Sequence, residues 1–120
     1  MSNLKLPEMD YYTLRQIADN PDSKVVGEWI KLAYQTFILR DGAHVLVKHH
    51  DTVIADISQT EVKLYHEGFH SPTTANRLNR ILYANCGHHV GLKDRTLQVR
   101  YPNTGTTAPL LNGDRFYTKG

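Results

Sequence analysis

Residues 37–57, FILRDGAHVLVKHHDTVIADI, decide the fold. Asp41-Gly42 is a strong hairpin signal, because both residues tolerate positive φ and strand-like runs flank them. From His44 to His49 the chain alternates, with Val45 and Val47 on one face and Leu46 and Lys48 on the other. His50-Asp51 reads as the next turn, and Val53–Ile57 as a further strand. Ser58-Gln59-Thr60 turns the chain again into Val62–His66. Upstream, Gly27 precedes an apolar and aromatic run from Trp29 to Leu39, read as one long strand, with a helical turn at Lys31-Leu32-Ala33 as the alternative. Connections this short suit antiparallel neighbours, since parallel ones need long crossovers.

Helical signals flank the meander. Asp10 is placed to cap a first helix, with Leu14, Ile17 and Ala18 as its buried stripe and Asn20-Pro21-Asp22-Ser23 as its stop. Ser71 is a good N-cap with Pro72 at the first helical position, where a missing N–H costs nothing. Ala75, Leu78, Ile81 and Leu82 form the stripe that covers the sheet, and Gly87 closes the helix. His89–Leu92 and Thr96–Tyr101 then flank Lys93-Asp94-Arg95 as a small hairpin. Residues 102–114 read as a long loop, and Phe116-Tyr117 as a short strand that docks back.

The expected fold is therefore α+β: an N-terminal helix, an antiparallel meander of about four strands, one helix packed on the sheet and a C-terminal hairpin. A length of 120 residues suits a single domain over 1–120. Within it, 1–23 is the N-terminal helix and turn, 28–101 the α+β core, and 102–120 a C-terminal loop and tail. No apolar run approaches the roughly 18 residues of a membrane span, and no signal peptide is legible. A lone Cys86 excludes internal disulfides and fits a reducing compartment. A soluble cytoplasmic protein is expected. The net charge of +2 hides an asymmetry: residues 1–60 carry six Lys/Arg and eight Asp/Glu, residues 61–120 eight and four. A basic second half is compatible with an anionic partner.

The candidate chemistry gathers at residues 68–79, GFHSPTTANRLN. A helix start attracts anions through its free N–H groups and dipole. Thr73 and Thr74 add hydroxyls, Arg77 follows Thr73 by four residues and Arg80 by seven, and Asn76 and Asn79 add amides. The structural alternative is that Ser71 and Thr74 cap the helix while Arg77 and Arg80 face solvent. Phe69 is the aromatic residue best placed to stack on a base, or else it fixes the helix start by packing. Seven histidines match no strong metal signature, although His50, His66 and His70 with Asp51 are a conceivable set. No cofactor and no metal are assigned. A His50/His70 acid–base pair acting on a phosphodiester is chemically coherent, but two polar turn histidines are the simpler reading. Cys86, near a helix C-terminus, reads as a small buried side chain rather than a nucleophile.

The run Tyr34-Gln35-Thr36, Arg40-Asp41-Gly42, Val47-Lys48-His49-His50-Asp51-Thr52 and Gly68-Phe69 through Thr73-Thr74-Ala75-Asn76-Arg77-Leu78-Asn79 resembles small uncharacterised proteins of tailed bacteriophages. The resemblance covers about residues 29–83, with an echo at Asn112-Gly113-Asp114 and Phe116-Tyr117. Gln35 stands where that pattern has Asn, Glu67 where it has a glycine, and Ser71 where it has a threonine. The resemblance implies a phage gene product made in the cytoplasm of the infected host, and no established activity.

The leading functional expectation is a phage accessory protein that binds nucleic acid or a nucleotide/phosphate ligand without catalysis. Its site would combine His50, Thr52, Phe69, Thr73, Thr74, Arg77, Asn79 and Arg80. One alternative is a protein-directed inhibitor of a host enzyme or anti-phage defence system, with a host protein as partner. Another is a small phosphodiesterase or nuclease using His50 and His70. No membrane partner is expected, and a homo-oligomer is compatible with the chain. Whether the Thr-Thr-x-x-Arg-x-Asn pattern holds a ligand or holds the helix to the sheet is open at this level, with Arg77 assigned to the ligand and Asn79 to the fold.

Overall fold

The computed structural model describes residues 6–33 and 35–118. The chain runs α1 (Tyr11–Asp19), β1 (Val25–Val26), β2 (Trp29–Ala33), β3 (Thr36–Asp41), β4 (His44–His49), β5 (Thr52–Ile57), β6 (Glu61–Leu64), α2 (Pro72–Cys86), β7 (His89–Lys93), β8 (Thr96–Tyr101), β9 (Thr106–Pro109) and β10 (Asp114–Tyr117). Strands β1 to β6 form an antiparallel meander, and β10 returns to pair with β6, giving a seven-stranded sheet. Strands β7, β8 and β9 form a second, three-stranded antiparallel sheet. The architecture is α+β, with the N-terminal helix, meander, covering helix and C-terminal strands in the expected order.

Local chemistry sets the boundaries. Asp10 caps α1 by accepting from Thr13 N at 3.3 Å. Ser71 Oγ caps α2 by accepting from Thr74 N at 3.2 Å, with Pro72 following. Gly87, at φ +80, ends α2 by donating its N–H to the Leu82 and Tyr83 carbonyls. Asp94 and Arg95, at φ +52 and +62, make the β7–β8 turn. Two consecutive left-handed residues match the twist of the flanking strands.

The fold departs from the sequence expectation at two places. Trp29–Leu39 is not one strand but two, β2 and β3, paired antiparallel with a register shift between Lys31 and Ala33. Gln35 lies beside the turn at φ +52, a conformation that glycine or asparagine usually signals. Residues 102–114 are not one loop: Thr106–Pro109 form β9 on the open edge of β8. β-Branched Thr106 and Thr107 suit such an edge without any apolar alternation.

Side-chain rows run straight across the large sheet. Ile30, Ile38, Val47, Ala55 and Leu64 occupy matched positions on β2 to β6, and Val45, Ile57, Val62 and Phe116 form the next row. All are buried and belong to one core with Leu14, Leu78, Ile81, Leu82, Val90, Leu97 and Val99. Helix α1 packs on β3 and β4, while α2 meets β5 and β6 of the large sheet and β7 of the small one. Serving two sheets, α2 buries a wide stripe that includes Arg77, Asn85 and Cys86 beside its apolar residues.

Candidate functional site

Beyond the two apolar rows, the same face of the large sheet turns polar. Thr36 lies opposite His49, and His49 opposite Thr52. His49 shares the buried phase of Val45 and Val47 on β4. On β5 a register shift brings two consecutive residues, Ile54 and Ala55, into the interior, so Thr52 and Ile54 share a face with Ala55 and Ile57. A bulge of this kind re-aims side chains next to a site. His50 begins the two-residue β4–β5 turn at φ +55, donating its N–H to the Gln35 carbonyl at 2.9 Å.

Against this polar row stands the start of α2. The two together enclose a pocket of about 270 Å³, lined on the sheet side by His49, His50, Thr52 and Ile54 and on the other by His66, Phe69, Ser71, Thr73 and Thr74. Phe69 is 57% exposed at its rim. Ser71 Oγ is occupied by Thr74, through its backbone N–H and its hydroxyl. Thr52 and Thr73 hydroxyls make no hydrogen bond among the described residues. Neither does the Thr73 N–H, which lies in the first helical turn where no intrahelical acceptor exists.

His49 is the chemical centre of the pocket. It is 6% exposed, and its Nδ1 lies 3.1 Å from the Gln35 carbonyl, which assigns the proton to Nδ1. Nε2 is left as a lone-pair acceptor with no partner among the described residues. Burial holds its pKa below the ordinary value of 6.5; the Arg77 charge and then His50 push the same way, against the Gln35 hydrogen bond. His50 packs on the His49 ring at 4.4 Å between centroids. A neutral, oriented imidazole results. Because the unfolded chain protonates first, the stability that His49 contributes is present above about pH 6.5 and is lost as pH falls through its lower folded value. The expected result is a denaturation midpoint that drops between about pH 7 and about pH 5 more steeply for the natural chain than for His49→Gln. Parallel pH profiles would contradict it.

Two further histidines, His66 and His70, have structural bonds. His66 accepts the Gly68 N–H at Nδ1 (2.9 Å) and places Nε2 3.0 Å from the Leu110 carbonyl, so both ring nitrogens are used. His70 packs on His66 at 4.5 Å and accepts the Leu97 N–H at Nδ1 (3.0 Å), outside the pocket. His70 is thus not among the residues that line the pocket with His50, and its Nδ1 is already engaged. Among the described residues no three His, Cys, Asp or Glu side chains converge on a metal position, so His50, His66, His70 and Asp51 do not assemble into one.

The Thr-Thr-x-x-Arg-x-Asn pattern divides along the helix faces. Thr73 and Thr74 line the pocket, whereas Arg77 is 3% exposed, donating from Nε to Thr36 Oγ1 at 2.9 Å and from Nη1 to the Thr73 carbonyl at 3.3 Å. Arg77 thus ties α2 to β3 and contributes charge behind His49, instead of lining the pocket. Burial, then Arg80, lowers its pKa. Asn79 Oδ1 accepts the Val90 N–H at 2.9 Å and fixes β7 to α2, and Arg80 is half-buried away from the pocket.

A family model described as Kyanoviridae Gp96 protein matches residues 19–117. The chain belongs to this family. It is therefore a bacteriophage protein, as the sequence resemblance implies. No curated protein and no solved structure matches it. In this Gp96-family chain the matched span includes both walls of the pocket. The echo at Asn112-Gly113-Asp114 also has a physical role: Asn112 Oδ1 accepts the N–H groups of His66 (2.9 Å) and Glu67 (3.0 Å), bracing the loop that carries Phe69. Glu67 sits at φ +49, which explains why a glycine suits that position in the resembling pattern. Gln35 meets His49 and His50 only through its backbone carbonyl, so an amide substitution there leaves both bonds available. No helix among the described residues is long and apolar enough to cross a membrane.

Proposed function

We propose that this phage protein binds a phosphate-bearing ligand of nucleotide size in the pocket between the β4–β5 turn and α2, without turning it over, in the cytoplasm of the infected bacterium. The carrying observation is His49: a buried, neutral ring whose Nε2, without a partner among the described residues, shares a pocket with the Thr73 N–H and hydroxyl, which are likewise unbonded among them. A phosphate accepts from Thr73 and the helix start, and a sugar or protonated-phosphate hydroxyl donates to Nε2. The Arg77 charge adds to the attraction for an anion. At about 270 Å³ the cavity lies just below the usual range of ligand pockets, so it suits a phosphate and sugar with the base at the mouth on exposed Phe69. Non-catalytic binding is the simpler reading because His70 does not line the pocket and its Nδ1 accepts the Leu97 N–H.

Calorimetric titration with inorganic phosphate and the nucleoside phosphates tests this. Saturable binding is expected, weakened about tenfold by Thr73→Val, which removes one charge-assisted hydroxyl bond. Phe69→Ala should weaken nucleotide binding and spare inorganic phosphate. A folded Thr73→Val protein that binds as well as the natural chain would overturn the reading, as would failure of every phosphate compound to bind.

A further inference from the structure

The outer face of the three-stranded sheet lies apart from the pocket and has its own signature. Gly91, in the middle of β7, is exposed on this face with His89 and Lys93. Its φ is not in the left-handed region, and a Cβ built there meets nothing within 4 Å. Neither backbone geometry nor packing requires glycine. A strand glycine lowers stability, and where nothing local demands it, it marks a place where another backbone or a ligand approaches closely.

Charge surrounds the bare backbone. Arg100 lies directly across from His89, Lys93 follows Gly91 by two residues on the same face, and Arg80 sits one turn before Tyr83 on α2. Among the described residues none of these three cations is in an ion pair. By contrast, Arg15, Arg40 and Arg115 each pair with a carboxylate. Helix α2 carries no acidic residue, and the small sheet with its turns has only Asp94, beside Arg95 at the hairpin tip. An aromatic platform completes the face: the Tyr83 ring, 53% exposed, stacks on His89 at 4.9 Å with a 30° interplanar angle.

We propose that this face binds single-stranded nucleic acid, with phosphates on Arg80, Lys93 and Arg100, a base on the Tyr83–His89 stack, and the strand passing over Gly91. Cations supply the phosphate contacts, and an exposed ring pair serves only a strand whose bases are unpaired. This site is separate from the nucleotide pocket and does not depend on it.

The test is fluorescence anisotropy with a labelled strand of about 12 nucleotides, within the length one small domain covers, as DNA, as RNA and as the matching duplex. The single strand should bind more tightly than the duplex, with log affinity against log salt sloping on the order of −2 for three contacted phosphates. DNA and RNA arms identify which strand is the ligand, and binding of either supports the proposal. Gly91→Thr should weaken binding about tenfold or more while the melting temperature stays level or rises, since a β-branched residue favours a strand with open space above it. Arg100→Gln should flatten the salt slope. Thr73→Val should leave strand binding unchanged, and Gly91→Thr should leave pocket binding unchanged, so the two sites fail separately. The proposal is overturned if Gly91→Thr binds like the natural chain, if the duplex binds as well as the strand, or if neither DNA nor RNA binds at low salt.

Discussion

Arg77→Ala should lower the stability of the protein by about 3 kcal/mol, combining lost charge-assisted hydrogen bonds with the cavity left by a long buried side chain. Arg77 is 3% exposed, and its guanidinium reaches both Thr36 on β3 and the Thr73 carbonyl on α2. Removing it takes away the donor that joins the polar end of the sheet to the first turn of the helix. Arg77→Lys should recover little, because an ammonium lacks the planar fork that serves two acceptors at once. Arg77→Met keeps the packing of the stem and should fall between the two. Urea denaturation measures the series. An unchanged midpoint for Arg77→Ala would mean that the buried arginine is not the tie described here, and that a ligand role for it must be reconsidered.

Asn85→Ala should cost a comparable amount, about 3 kcal/mol, for the loss of three buried hydrogen bonds. The amide uses both donors and its acceptor. Nδ2 donates to the Met9 carbonyl (3.0 Å) and the Ile81 carbonyl (2.8 Å), and Oδ1 accepts the Tyr11 N–H (3.0 Å). Two of these bonds hold the start of α1 to α2, which is more than seventy residues away. Asn85→Asp should be worse, since a carboxylate would face two carbonyl oxygens it cannot donate to. Hydrogen exchange gives the local readout: the Tyr11 amide should lose its protection in Asn85→Ala beyond the global loss. A Tyr11 amide that remains as protected as the rest of the core would contradict this.

Features decided within a few residues were legible in the sequence. The ends of α2 follow from Ser71-Pro72 and Gly87, and the hairpins from Asp41-Gly42 and Lys93-Asp94-Arg95, because caps and tight turns depend on local chemistry. The β2–β3 turn was missed because its left-handed residue is Gln35, not glycine. Strand β9 was missed because an edge strand of threonines carries no apolar period. Five pocket residues were named from sequence: His50, Thr52, Phe69, Thr73 and Thr74 all line the cavity. Arg77 was grouped with them by helical spacing and Asn79 by the resemblance, and neither tells that one side of α2 faces β3 and another β7. His49 was passed over although it falls on the buried phase of Val45 and Val47, where a polar residue needs a reason. Asn85 and Asn112 left no local signal, since the partners that make them ties between elements lie more than forty residues away.

The measurement that bears most directly on the pocket is long-range ¹H–¹⁵N NMR of the histidine rings, recorded near neutral pH with and without a nucleoside monophosphate. In the free protein His49 should be neutral, with its proton on Nδ1 and an unprotonated Nε2. On titration the His49 Nε2 resonance should shift and saturate together with the Thr73 amide, while the His66 and His70 rings keep their positions. A His49 ring that is unmoved at saturating ligand, or shifts confined to the small sheet around His89, would contradict the account.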